Sequence, residues 1–163
     1  MKTYLPNETK EERKLRKQQE KSNAPVVVET PAERYVVCLK YGSKYSAEYV
    51  NRLYRMVDRN LTLNYEFVCF TEDPKGLDEH ITVRNLPKQP GVEGWWYKPF
   101  FFSPHLGLTA TTLFLDLDMI VFRNIDNLFT YKPGEFLIIR DFNRFLIKNY
   151  QKFNSSVFRL EPG

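Results

Sequence analysis

The short apolar runs of the chain, each ended by glycine or acidic residues, constrain its fold most strongly. Residues 35–42 read YVVCLKYG and residues 65–73 read YEFVCFTED, and runs of this length and composition predict buried strands. Between them, residues 46–59 repeat apolar side chains at helical spacing, which predicts an amphipathic helix. Buried strands separated by such a helix predict an α/β fold with a mainly parallel, Rossmann-like sheet flanked by helices.

The remaining apolar runs extend the predicted sheet. Residues 80–87, 134–142 and 153–160 are further strand candidates, and the strand that starts near Thr112 is predicted to be central. A short helix is expected after Pro99. The aromatic residues around it are expected to pack mainly in the core and not to form a sugar-binding platform; they are Trp95, Trp96, Phe100, Phe101 and Phe102.

The N-terminal part differs in composition from the rest of the chain. Residues 8–22 are almost all charged or amide side chains, and Pro25 and Pro31 follow them. We therefore expect residues 1–33 to form a loosely helical or disordered tail and linker, and residues 34–163 to form the folded domain. The net charge of +4 is spread over both parts. No nucleic-acid partner is expected, because nucleic-acid binding favours a concentrated basic patch.

Membrane and secretory segments are not expected from the sequence. No apolar run approaches the ~20 residues that span a bilayer, and the first residues lack the apolar stretch of a signal peptide. We therefore expect a cytoplasmic protein without a transmembrane segment. Cys38 and Cys69 lie in apolar strand candidates, and we interpret both as reduced, buried residues.

Residues 113–129 read LFLDLDMIVFRNIDNLF, which places Asp116 and Asp118 inside the most apolar segment of the chain. Carboxylates avoid the protein interior unless they are paired or bind a metal. In a parallel sheet, ligands bind beyond the carboxyl ends of the strands, and a strand from Thr112 would end near Asp116. In an extended stretch both side chains would point the same way, so they could bind one hard cation that bridges to a diphosphate.

Two other interpretations of this D-x-D tripeptide remain at this point. The two carboxylates can simply end a strand and open a turn. The tripeptide also occurs in phosphatases of the haloacid-dehalogenase type, whose nucleophile lies in an apolar strand. That motif usually opens its domain, whereas about two-thirds of this chain precedes Asp116.

The wider context of the D-x-D resembles the nucleotide-sugar glycosyltransferases of GT-A fold, especially the glycogenin and galactosyltransferase-like group. Those proteins continue with an apolar segment and then N-I-D-x-L-F, which residues 119–121 and 124–129 match. LKYGSKY at 39–45 is similar to the family's nucleotide-contacting stretch, and FNSSVF at 153–158 is similar to its F-N-S/A-G-V pattern. Lys98 stands where the family places a lysine ahead of the D-x-D strand. The ordered set of matches is more specific than any one of them.

The resemblance implies a metal-dependent glycosyltransferase that uses a nucleotide-diphosphate sugar, with a UDP-sugar as the expected donor and Mn²⁺ or Mg²⁺ as the cofactor. Asp118 would bind the metal, and Asp116 would contact the metal, the ribose of the donor, or both. Ordinary packing is the alternative role for Tyr41 and Tyr45, and a solvated side chain is the alternative for Lys98. Asp141 is a further candidate for a donor or acceptor contact. The other donor contacts that the resemblance implies are Leu39, Tyr41, Tyr45, Lys98, Asn154 and Ser155.

The chain departs from the family pattern in two places. Ser156 stands where the family usually has glycine, and its Cβ could crowd the donor sugar. The family also continues into acceptor-binding elements and a histidine metal ligand, whereas His80 and His105 both precede the D-x-D. We therefore expect the donor-binding part of a GT-A domain, truncated at its C-terminus. A second chain would then supply the side that binds a sugar, protein or lipid acceptor, and a non-catalytic donor-binding module is the alternative.

Overall fold

The computed structural model describes residues 32–86 and 90–162. The expected charged tail falls almost entirely on residues 1–31, which lie outside the described residues. Within the described ranges, no helix is both long and apolar enough to cross a bilayer.

Strands and helices alternate in the order that the apolar runs predict. The strands are β1 (Arg34–Lys40), β2 (Glu66–Thr71), β3 (Thr82–Arg84), β4 (Thr111–Leu115), β5 (Leu137–Arg140) and β6 (Phe153–Leu160). The α-helices are α1 (Ala47–Asn60) and the single turn α2 (Asn127–Thr130). Short 3₁₀ helices span Gly94–Phe102, Pro104–Leu106 and Phe142–Phe145.

The six strands form one sheet in the order β3-β2-β1-β4-β6-β5. Strands β3, β2, β1 and β4 are parallel, and β6 is antiparallel to both of its neighbours. The prediction of a mainly parallel sheet is therefore confirmed, and β6 is its reversed strand. The central strands β1 and β4 are parallel neighbours, so the loops that follow them meet at one edge of the sheet.

Both faces of the central strands are covered, which explains why β1 and β4 are apolar almost throughout. Alternate residues of a strand point to opposite faces. The face covered by α1 has a core that includes Val36, Cys38, Val50, Leu53, Val57, Leu113 and Leu115. The opposite face has a second core that comprises Tyr35, Val37, Val68, Phe70, Phe101, Phe114 and Phe158.

Cys38 and Cys69 lie opposite each other on β1 and β2. Both are buried and free, as the sequence predicts for reduced strand residues. Burial, together with the neighbouring Cys69, raises the pKa of the Cys38 thiol. The pair therefore contributes apolar packing and not a crosslink.

The aromatic segment before β4 corrects two expectations. Its helix does not follow Pro99 but spans Gly94–Phe102 with the proline inside it. Phe101 belongs to the core as expected. Successive residues of a helix point in different directions, so one helix cannot bury all its aromatic side chains against the sheet. The expectation of core packing is wrong for the members that are more than half exposed, which are Trp95, Trp96 and Phe102.

The N-I-D segment after the D-x-D is fastened to the end of α1. The amide of Ile125 donates to the carbonyl of Asn60 at 2.9 Å. The carboxylate of Asp126 accepts hydrogen bonds from the amide of Thr62, at 2.8 Å, and from its hydroxyl. Hydrogen bonds from Thr62, with Asn124, lower the pKa of Asp126. The motif thus holds the segment after the D-x-D against the face that α1 covers.

Arg159 of β6 is a buried cation that organises the loop after α2. Its side chain is 1% exposed, and Nε lies 3.0 Å from Oε1 of Glu161, although the two are not aligned for a hydrogen bond. Buried charges persist only where they are paired and hydrogen-bonded. The guanidinium donates, over 2.6–3.1 Å, to the carbonyls of Leu128, Phe129, Tyr131, Lys132 and Glu135.

Candidate functional site

A cavity of about 470 Å³ opens where the loops after β1 and β4 meet. This is the edge at which parallel sheets bind ligands. The loop after β1 contributes Tyr41 to Tyr45, and the turn after β4 contributes the D-x-D. The predicted site residues that line the cavity are Leu39, Tyr41, Tyr45, Lys98, Asp116 and Asp118.

Asp116 is held in place from two sides. Its amide donates to the carbonyl of Ser156 at 2.9 Å, which extends the pairing of β4 with β6. Its carboxylate is bound by Lys98, whose Nζ lies 2.7 Å from Oδ1 and 2.8 Å from Oδ2. The lysine also donates to the carbonyl and hydroxyl oxygens of Ser155, at 3.1 and 3.3 Å. Lys98 thereby joins the D-x-D strand to the start of β6.

Asp118 is exposed and has a different partner. The hydroxyl of Tyr45 donates to its Oδ2 at 3.0 Å. The extended geometry expected for the D-x-D does not hold beyond Leu115, because the amide of Met119 donates to the carbonyl of Asp116 at 3.2 Å and closes a turn. A turn, and not an extended strand, therefore presents both carboxylates to the cavity.

Two tyrosines of the loop after β1 pack against other aromatic rings and still border the cavity. The ring centroid of Tyr41 lies 5.2 Å from that of Tyr97, and the centroid of Tyr45 lies 4.9 Å from that of Tyr49. Partial removal from water, followed by the charge of Glu93, raises the pKa of Tyr41. Its phenol therefore stays protonated at neutral pH and can donate a hydrogen bond. Packing and ligand contact are thus compatible roles for these rings.

Lys44 and Trp95 line the cavity although the sequence did not single them out for it. The ammonium of Lys44 lies 4.8 Å from the ring centroid of Tyr45, and a hydrogen bond with that tyrosine raises the pKa of the lysine. Trp95 is 71% exposed beside Gly94, whose φ is +57°. The adjacent tryptophans of the G-W-W sequence were the available signal, because neighbouring positions of a helix cannot share one buried face.

Of the two donor contacts predicted on β6, Ser155 is connected to the cavity and Asn154 is not. Ser155 reaches the site through Lys98, as described above. Asn154 does not line the cavity; its Oδ1 accepts a hydrogen bond from the amide of Ser156 at 2.8 Å. Ser156 has no positive φ, so its backbone does not require glycine. Asp141 lies at the end of β5, where its Oδ1 accepts from the amide of Asn143 at 2.8 Å.

The donor set of the cavity suits a hard divalent cation. Asp116 and Asp118 supply carboxylate oxygens, the ligand type that Mg²⁺ prefers and that also suits Mn²⁺. Among residues 32–86 and 90–162, no group of three or more His, Cys, Asp or Glu side chains is placed to hold a metal ion. A cation bound here would therefore need water or diphosphate oxygens, and it would compete with Lys98 for Asp116.

Comparison with known proteins identifies the fold. No protein-family model and no curated protein matches the chain. Among solved structures, the chain is similar to the apo-form glycosyltransferase GlyE of Streptococcus pneumoniae TIGR4, with a TM-score of 0.53 and 16% identity. The match covers 80% of this chain and 34% of the GlyE chain, so this chain spans about a third of that protein's length. The fold is thus glycosyltransferase-like, in agreement with the GT-A architecture expected from the sequence.

Proposed function

We propose that the protein is a glycosyltransferase of the glycogenin-like group that takes its sugar from a nucleotide-diphosphate donor, a UDP-sugar, with Mn²⁺ or Mg²⁺. The observation that carries the proposal is that Asp116, Asp118, Lys98 and the loop tyrosines all border one cavity. It lies at the carboxyl ends of β1 and β4 in a sheet with a glycosyltransferase-like fold. Fold alone does not define activity, so the chemistry of the cavity has to support it.

Each cavity residue has a role in this proposal. Asp116 and Asp118 would hold the cation, which, when bound, neutralises charge on the leaving diphosphate. Lys98 is a positive charge 2.7 Å from Asp116 and is positioned to contact phosphate or sugar oxygens. Tyr41 and Tyr45 present aromatic rings on which a nucleobase or ribose can pack. Leu39 lines the same cavity, and Ser155 supports Lys98 by accepting its hydrogen bonds.

A second candidate is a donor-binding module that transfers sugar only together with another chain. The observation that favours it is that the cavity described here is lined by the residues assigned to the donor. Both candidates require metal-dependent nucleotide binding. They differ in whether this chain alone transfers or hydrolyses the donor. A phosphatase has less support, because the fold is similar to that of a glycosyltransferase.

Calorimetry with UDP, with and without Mn²⁺, tests the proposal. We expect binding that depends on the metal and that falls by about tenfold or more in Asp118→Asn. Mutating a residue that only hydrogen-bonds to a metal ligand typically costs about 10–100-fold in metal affinity, and mutating the ligand itself should cost at least as much. Glu79→Gln is the matched control, because Glu79 is exposed and does not line the cavity.

Three results would count against the proposal. The first is UDP binding that does not change with Mn²⁺, and the second is an Asp118→Asn protein that binds UDP like the parent. The third is a metal-dependent release of phosphate from an aryl phosphate, if this activity is lost in Asp116→Asn. The last result would indicate a phosphatase. Hydrolysis of a panel of nucleotide sugars by the chain alone separates the complete enzyme from the donor-binding module.

A further inference from the structure

The loop between β5 and β6 carries large apolar side chains on its outer surface. We refer to residues 140–153, which include the last residue of β5 and the first residue of β6, as the basic–apolar loop. Its five large apolar members outside tyrosine are between 52% and 77% exposed, and neither core includes them. Exposed apolar groups of this density mark an interaction surface in a folded protein. They are Phe142, Phe145, Leu146, Ile147 and Phe153.

The backbone of the basic–apolar loop is held by its own hydrogen bonds. The amide of Asp141 donates to the carbonyl of Lys152 at 3.0 Å, which closes the base of the loop. The carbonyl of Asn143 accepts from the amides of Leu146 and Ile147, at 2.9 and 2.8 Å. The Leu146 bond spans three residues and the Ile147 bond spans four, directly after the 3₁₀ helix Phe142–Phe145. The large apolar side chains of this segment remain exposed.

The charges of this loop are almost all positive. Its basic side chains are exposed, and none pairs with a carboxylate of the described residues. Its one acid, Asp141, is occupied in capping the 3₁₀ turn. The guanidinium of Arg144 lies 4.5 Å from the ring centroid of Phe145, so charge and apolar surface are interleaved. The basic residues are Arg140, Arg144, Lys148 and Lys152.

We propose that the basic–apolar loop docks the protein onto an anionic lipid bilayer. Aromatic and aliphatic side chains enter the boundary between headgroups and acyl chains, while neighbouring Arg and Lys side chains bind the anionic headgroups. Contact with a second copy of this chain is disfavoured, because the same surface would bring like charges face to face. The association is peripheral and needs no membrane-spanning helix.

The basic–apolar loop lies at the edge of the sheet that also holds the donor cavity, so docking there bears on the proposed reaction. Strand β5 is parallel to β4, since both are antiparallel to β6, so the loop after β5 lies at the same edge of the sheet as the donor cavity. The end of the loop leads into β6, where Ser155 contacts Lys98 of the cavity. If the proposed function holds, docking would bring the donor beside an acceptor anchored in the membrane. The docking itself requires neither donor nor metal.

Sedimentation with lipid vesicles tests the docking. Vesicles of phosphatidylcholine alone are compared with vesicles that also contain phosphatidylglycerol, in the absence of nucleotide and metal. We expect binding to the anionic vesicles only, with weakening as salt is added. Arg144→Glu and Lys148→Glu should each lower the affinity by about fivefold or more, and Arg144→Lys should retain it. Leu146→Glu should lower binding in the same assay.

Phe122→Glu is the matched control, because Phe122 is 77% exposed beside Arg123 but lies outside the loop. Circular dichroism establishes that each variant is folded. Equal binding to neutral vesicles, no binding to anionic vesicles, or unchanged binding in the loop variants would overturn the proposal. Self-association that disappears in the same variants would also overturn it, by assigning the loop to contact between copies. Because no nucleotide is present, these results are independent of the calorimetry with UDP.

Discussion

Lys98 and Asp116 form an ion pair in which one ammonium contacts both carboxylate oxygens, at 2.7 and 2.8 Å. The side chains are only 14% and 26% exposed, so water screens this pair less than a surface pair. The pair holds the first aspartate of the D-x-D in place before any ligand arrives. A cation bound at the proposed site would compete with Lys98 for the same oxygens.

This competition can be measured with Mn²⁺ alone. Lys98→Met removes the charge and keeps an apolar chain near the ring of Phe114, from which Nζ now lies 5.1 Å. We expect the affinity for Mn²⁺ to rise by about fivefold, which corresponds to the ~1 kcal/mol of a partly exposed ion pair. Lys44→Met is the control. It also removes a positive charge from the cavity, but Lys44 forms no ion pair with a carboxylate of the described residues. An equal gain in both variants, or no gain in Lys98→Met, would contradict the competition.

The two neighbouring tryptophans offer an internal comparison for ligand binding. Trp95 lines the cavity and Trp96 does not, although both are exposed. We expect UDP with Mn²⁺ to quench the tryptophan fluorescence, since a stacked base or nearby phosphate changes the surroundings of the indole. Trp95→Phe should remove most of the quenching, and Trp96→Phe should leave it. Quenching that persists in Trp95→Phe would place the ligand elsewhere.

Arg159 should be important for stability and not for ligand binding. Arg159→Met leaves the carbonyls around the guanidinium without their donor, and removing one partner of a buried charged network costs about 3–5 kcal/mol. Urea unfolding of the variant should show this loss in the free energy of unfolding. Arg123→Met, at an exposed position, should change it by less than about 0.5 kcal/mol. Similar unfolding midpoints for the two variants would show that the buried network adds little.

Asp126 should make stability depend on pH in acid. Hydrogen bonds from Thr62 hold its pKa below the usual 3.8, so the folded state favours the ionised carboxylate. Its contribution is fully present above pH 3.8 and is lost as the pH falls through the lowered pKa. We expect Asp126→Asn to lower the thermal midpoint at neutral pH and to approach the parent as the solution is acidified. Glu79→Gln should show no such convergence, and a constant difference for Asp126→Asn would refute this role.

Most strands and the long helix could be predicted from individual segments of the sequence. The buried strands, α1 and the bounds of β6 follow from apolar runs and helical spacing, because these depend on neighbours along the chain. The antiparallel direction of β6 could not be predicted, because the apolar pattern of a strand is similar in either direction. The position of the 3₁₀ helix around Pro99 was also missed, since it depends on the burial of Tyr97 and Phe101 in the folded domain.

The sequence by itself determined that two carboxylates follow a buried strand. That Lys98, Tyr41 and Tyr45 belong to the same site was only implied by the family resemblance. Only the tertiary structure decided that Lys98 binds Asp116 while Tyr45 binds Asp118. It also decided that Trp95 faces the cavity and Asn154 does not. The physical reason is that residue type and spacing specify which groups reach an edge of the sheet. Their partners depend on how loops distant in sequence pack there, which no local pattern records.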